Sequence, residues 1–175
     1  MPKEKHNSHK PAIIVKWVTD KGLAGKLANF FVKNVSTSYI SHGELMTGRA
    51  TALNSWNKNL YQIVFKELQT KIPKRQTKLT NHQIAIAIEK DKIIALAIVH
   101  FFLKNHYGFI EDLIVDPSRR GRGIGSVFLA WIEEEARASG IGRIFLESGI
   151  KNRPAHHFFE GKKYTNCSKI FFKVL

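Results

Sequence analysis

Residues 110–140 read IEDLIVDPSRRGRGIGSVFLAWIEEEARASG, and few folds can hold that order of elements. The apolar run Leu113-Ile114-Val115 is extended, and Asp116-Pro117 breaks it. Gly121, Gly123 and Gly125, interleaved with Arg119, Arg120 and Arg122, then lead into a helix. Ile124, Val127, Phe128, Trp131, Ile132 and Ala136 recur there at spacings of three and four, one apolar face of a helical period. A helix N-terminus presents unpaired N–H groups and partial positive charge, so a glycine-rich approach to one is suited to cradle a phosphate. Strand, cationic loop and helix in this order place that cradle at the end of a sheet strand.

The rest of the chain supplies strands on one side of this unit and helices around it. Residues 1–11 read as a disordered basic lead-in, and 12–175 as one domain, divided into a first part, 12–82, and a core, 83–175. Ile13, Val15 and Trp17 alternate as a first strand. Asp20 caps a helix carrying Leu23, Leu27, Phe30 and Phe31. Residues 35–48 give no clear pattern. A second helix is read over 53–72, closed by Pro73, with a loop to Asn81. Strands follow at 83–89, 93–103 and 107–115, the second apolar enough to be covered on both faces. After the central helix, Gly140 reads as its C′ residue. A strand at 143–148, a short helix capped by Asn152 and a last strand at 164–174 complete the order. The fold class is α/β: a mixed, mostly antiparallel sheet with helices on both faces.

Composition narrows the classes further. The net charge is +14, from 28 Lys and Arg against 14 Asp and Glu. Such an excess favours polyanions, yet the basic residues are scattered and no nucleic-acid motif accompanies them. No apolar run is long enough to span a bilayer, and the first residues lack the apolar centre of a secretion signal. A cytoplasmic protein is expected. The lone Cys167 cannot form an intrachain disulfide and reads as a strand-packing thiol. No metal-ligand motif is read.

Three phosphate loops compete for 119–126. A P-loop needs Gly-Lys-Ser/Thr, which is missing. A dinucleotide fingerprint accounts for Gly121 and Gly123 but meets Ser126 where glycine or alanine belongs; Glu147 lies about where its ribose-binding acid would. The third pattern, R-x-x-G-x-G, is met by Arg120, Gly123 and Gly125. With E-D-L-x-V-D-P before the loop, Leu146-Glu147 ending the next strand, and Asn152 followed by Pro-Ala-His-His-Phe-Phe-Glu, the segment from Tyr107 to Leu175 resembles the GNAT superfamily of N-acetyltransferases.

That resemblance implies an acetyl-CoA-dependent enzyme moving acetyl directly to a primary amine. Backbone groups of Gly121, Arg122, Gly123, Ile124, Gly125 and Ser126 would hold the pyrophosphate, with Arg120 reaching the phosphates. Main-chain groups of Leu113 and Val115, with Ile114 between them, would pair with the pantetheine arm, and a backbone N–H near Val115 would face the oxyanion. The neighbouring strand must splay to make room, and Asn152 would touch the cofactor arm. An amine of pKa about 10.4 costs about 4 kcal/mol to deprotonate at neutral pH, which calls for a carboxylate base. Glu111 is the first candidate, placed on the face of Leu113 by strand alternation, and Glu147 is the second; Asp112 faces the other way. Many relatives protonate the departing thiolate with a tyrosine where this chain has Phe159. That ring can pack on the cofactor but cannot donate a proton, and the acid stays unassigned. The alternative is a non-catalytic acyl-CoA-binding or polyanion-binding module.

Acceptor choice is expected from residues 22–79, which hold few acids. This disfavours polycationic amines, and the positive charge suits an acidic or anionic-bound acceptor, small molecule or protein, for example an N-terminus or lysine on an acidic protein, or an aminoacyl-tRNA. The aromatic C-terminal strand could also pair across a homodimer.

Overall fold

A computed structural model describes residues 12–73 and 82–174. The proposed lead-in, the loop after Pro73 and Leu175 lie outside the described residues.

The chain builds a five-stranded sheet from β1 (Ile14–Trp17), β4 (His82–Glu89), β5 (Lys92–Phe102), β6 (Tyr107–Val115) and β7 (Arg143–Leu146), adjacent in that order. All neighbours are antiparallel except β6 and β7. Lys90 and Asp91 both adopt positive φ, +48° and +62°. This is the geometry of a two-residue hairpin turn matched to strand twist, and it joins β4 to β5.

Alternation along β4 and β5 sorts the core into two layers. Ala85, Ala87, Ala95, Ala97 and Val99 face α4 (Ile124–Ala138), whose Ile124, Phe128, Leu129, Ile132 and Ala136 are buried against them. Small residues on the strands let this helix lie close. Ile84, Ile86, Leu96 and Ile98 face α1 (Ala24–Asn34) and α3 (Leu60–Lys71), through Leu27, Phe31, Val64 and Leu68. Each such large side chain contributes about 1.5–3 kcal/mol by leaving water. Trp17 ties β1 to α4: its ring meets Trp131 at 4.8 Å, and its Nε1–H donates to Glu135 at 3.0 Å.

Three expectations are corrected. The second helix begins at Leu60, not 53; before it, β2 (Ala50–Ala52) and β3 (Ser55–Trp56) form a small hairpin. The pattern in 53–59 rests on Trp56 alone, which serves the hairpin equally well. Residues 164–174 form no strand. Phe171 and Val174 are 90% and 82% exposed, and Cys167 is exposed with them rather than packed. The alternation of Ile170, Phe172 and Val174 has no partner strand in the described chain to bury it. Finally, Asn152 precedes α5 (Arg153–Gly161), but its side chain makes no capping bond. Among the described residues, no helix is long and apolar enough to cross a membrane.

The segment after β7 is wedged against the connection between α1 and α2 (His42–Met46). A Cβ on Gly149 would lie 2.5 Å from the carbonyl oxygens of both Ser38 and Ile40. Backbone oxygens cannot rotate aside. Gly149→Ala is therefore expected to cost about 1–3 kcal/mol, the range for overpacking, read as a lowered urea midpoint.

Candidate functional site

The site begins where two strands part. β6 and β7 pair from Tyr107↔Arg143 to Ile110↔Leu146 and no further, while β6 runs on to Val115. Residues 111–115 therefore have β5 on one side and an open edge on the other. The Asp116 N–H bonds Ile94 O at 2.9 Å. Main-chain groups alternate in direction along an antiparallel strand, so Ile114 points toward β5 while Leu113 and Val115 turn to the open edge. The splay foreseen next to this strand is present, with β7 as the departing neighbour.

At Glu111 the ladder skips. Ile98 pairs with Asp112 and Val99 with Ile110, leaving Glu111 as a surplus residue. Such a bulge breaks alternation. Ile110 and Leu113 pack with the α4 layer, whereas Glu111 and Asp112 both reach the other face, to Lys71 and Arg49. The expectation that Glu111 shares the face of Leu113 is corrected on this ground: regular strand geometry does not hold where the backbone carries an extra residue.

Beyond β6, Asp116 accepts from Ser118 N–H and Oγ–H and closes a turn at Pro117. Gly121 and Gly123 then take φ of +74° and +80°, and at neither would a Cβ have any atom within 4 Å. Alternating left- and right-handed residues turn successive N–H groups to one side, an anion-binding concavity. Gly123 is the N-cap of α4, and no side chain caps that end. The first amides of the helix, from Ile124, Gly125 and Ser126, thus lack an intrahelical acceptor. Of the arginines, Arg120 donates from Nε to Val115 O at 3.2 Å, and Arg119 pairs with Glu89 at 2.7 Å. Arg122 is exposed.

The cleft between the parting strands is lined by Tyr39, Glu111, Leu113, Glu147, Asn152 and Phe159 among others. Glu147 is held from three directions. Its Oε1 accepts from Ser41 Oγ–H at 2.6 Å and Gly43 N–H at 3.1 Å, and its Oε2 lies 2.8 Å from His42 Nε2. Ser41 Oγ is also 2.7 Å from Glu44 Oε2. Burial, only partly countered by the Ser41 bonds, pushes the Glu44 carboxyl up. Behind this wall Arg49 is buried between Asp112, at 2.9 Å, and Glu67, at 2.6 Å. Burial opposes the Arg49 charge, but Asp112 and Glu67 outweigh it and hold the guanidinium above its ordinary value. Tyr39 Oη–H donates to Asp112 at 2.9 Å, and burial, then the Asp112 charge, raises that phenol well above its usual range.

The structure thus gathers Glu111, Leu113, Glu147, Asn152 and Phe159 around one cleft, with the 120–126 loop continuing from its strand. Tyr164 packs with the core, its Oη–H donating to Glu133 at 2.9 Å, and His156 Nε2–H donates to Gly149 O at 3.0 Å. Sequence reasoning missed Tyr39, Ser41, His42, Glu44 and Ser148, whose Oγ is buried without a partner. For Ser41 and Glu44 the signal was present: Ser41-x-x-Glu44 is a capping box, and both of its bonds form.

Residues 50–162 match the family model of the Acetyltransferase (GNAT) family. Over 99 residues the chain is 34% identical to an aminoalkylphosphonate N-acetyltransferase of Salmonella typhimurium, covering 54% of this chain and 64% of that protein. The chain spans less than two thirds of the length of the curated relatives it matches. Among solved structures it is similar to a transcriptional regulator from Bacillus halodurans, with TM-score 0.62, 20% identity, and 94% and 100% of the two chains covered. It is also similar to an aminoglycoside N-acetyltransferase in complex with CoA, with TM-score 0.65, 11% identity, and 96% and 97% covered. The parted strands, the glycine-bearing turn and the family match agree, and the chain belongs to the acetyltransferase (GNAT) family.

Proposed function

We propose that this protein transfers the acetyl group of acetyl-CoA directly to a primary amine bound in the cleft between β6 and β7. The observation that carries the reading is the open β6 edge running straight into an uncapped helix N-terminus, with carboxylates across the gap. Acetyl-CoA would supply an activated acetyl thioester. The amides of residues 121–126 suit its pyrophosphate, because they are donors without acceptors beside two left-handed glycines that leave room for a ligand. The Leu113 and Val115 main chain offers strand-like pairing to the amides of the pantetheine arm. The Arg120 guanidinium, now on Val115 O, can turn to phosphate without losing a charge-assisted bond. Asn152, with no cap to make, faces the same cleft.

Proton removal falls to Glu147. It lines the cleft, and its carboxylate is oriented by Ser41, Gly43 and His42. Glu111 is the second candidate, since Lys71 already holds its carboxylate. For the acceptor we propose a small primary amine that also carries an anionic group. The +14 charge favours this, and the Salmonella relative is named for such a compound, an aminoalkylphosphonate. Cytoplasmic location follows as part of the same proposal.

Calorimetry with acetyl-CoA, then thiol release with an amine panel, tests the reading. Uptake of acetyl-CoA and turnover with aminoalkylphosphonates ahead of polyamines are expected. Gly123→Val forces a β-branched residue into positive φ and misaligns the loop amides. Losing one charge-assisted bond of about 1.5–3 kcal/mol predicts roughly ten- to a hundredfold weaker acetyl-CoA binding. No uptake by the wild type would refute the proposal. Uptake without turnover on any amine would favour a non-catalytic acyl-CoA-binding module, the reading that Phe159, at the cleft without a proton to give, keeps in play.

A further inference from the structure

On the α1/α3 face, three adjacent strands each contribute a side chain with a metal-binding atom to one spot. We propose that His82, His100 and Glu111 form a binding site for a divalent cation of the zinc type.

His82 and His100 are directly paired across β4 and β5, and their rings stack at 4.0 Å. Glu111 comes from β6, the next strand over. One donor atom from each of the three lies within 4.8 Å of the others, and all three residues are partly exposed. His82 Nε2 and Glu111 Oε1 are 3.7 Å apart. Two imidazoles and one carboxylate are the ligand set of open zinc sites, which keep a fourth position for water or another ligand. With Zn–N of about 2.0–2.1 Å, tetrahedral ligand atoms sit ~3.3 Å apart. The present spacing needs side-chain rotations of about an ångström and no movement of the sheet.

Two features show more than chance proximity. The first is strand direction: Glu111 follows Ile110, which packs in the α4 layer, so it turns to the opposite face, the one that carries the two histidines. The second is that a cation already occupies the carboxylate, since the Lys71 ammonium is bonded to Glu111 Oε2. A dication would displace an ammonium on a flexible four-carbon stem. The surroundings also hold the ligands in place. Phe102 stacks on the other side of His100 at 3.9 Å, and Tyr107 stacks on Phe102 at 4.4 Å. Burial holds both imidazoles below their ordinary pKa, the neighbouring His100 adding to the effect at His82, and the neutral ring is the form that ligates.

The site shares Glu111 with the cleft, but its test reads metal uptake and not turnover, so it can fail or hold whatever becomes of the acetyl-transfer reading. Untagged, chelator-stripped full-length protein would be titrated with Zn²⁺ by calorimetry and with Co²⁺ by visible absorption. One equivalent of each should bind with an absorption band for protein-bound Co²⁺. His100→Ala should weaken binding by more than about tenfold, the least that even an outer-sphere partner costs. Lys71→Met, removing the competing ammonium, should tighten it. Circular dichroism checks folding, and His82→Ala carries the same comparison should His100→Ala not fold. The chain has 8 His in all, so the variants decide the location. Equal affinity in wild type and histidine variants, or no uptake of either metal, overturns the site.

Discussion

Replacing Arg49 by methionine is expected to lower stability by about 3–5 kcal/mol, the cost of breaking a buried ion pair from one side. Arg49 is 4% exposed and Asp112 1%. The guanidinium bonds both oxygens of Asp112, at 3.1 and 2.9 Å, reaches Glu67 through Nε, and lies over the Phe31 ring at 5.0 Å. Methionine fills much of the volume but leaves the Asp112 carboxylate in the core with, among the described residues, the Tyr39 hydroxyl as its side-chain partner. Urea unfolding would measure the loss. The double variant Arg49→Met, Asp112→Asn should recover part of it, because the uncompensated charge is gone. Equal losses in single and double variants would mean that the packing of Arg49, not its charge, is what the fold requires.

Glu147→Gln should lower kcat about 10²- to 10⁴-fold, the usual contribution of a positioned base, with acetyl-CoA affinity unchanged. Glutamine keeps the bonds from Ser41 and Gly43 but cannot take a proton. The acceptor must then lose its proton to solvent before attack. The residual rate should therefore climb with pH toward the amine's own pKa of about 10.4, where the wild type is flatter. Glu111→Gln should have the smaller effect. Should Glu111→Gln instead abolish turnover while Glu147→Gln leaves it intact, the two roles are exchanged.

Much of this molecule was legible because its periodicities are strong. The Ile-Ala alternation of β4, the apolar run of β5 and the spacing of Ile124, Phe128 and Ile132 each announce an element and the side it buries. The 119–126 loop was readable since glycines with positive φ and an uncapped helix start leave a compositional trace. What stayed hidden was non-local. The S-x-x-E box at Ser41 is a local signal, but its bond to Glu147 spans 106 positions. His82, His100 and Glu111 have no motif spacing and meet only through strand pairing. The misplaced side of Glu111 has the same root: a bulge is decided by how two strands align, and one strand's sequence does not contain that alignment. The tail was misread for the opposite reason, since alternation says a strand can form and not that a neighbour exists for it.

The skipped position on β6 has one more consequence. A bulged strand bends and twists more sharply than a regular one, and here the bend falls immediately after the last rung shared by Ile110 and Leu146. Excising Glu111 would let the ladder with β5 heal while every other side chain kept its layer, and a straighter β6 could zip to β7 along its whole length. The gap that admits a ligand can thus be regarded as the geometric product of a single inserted amino acid.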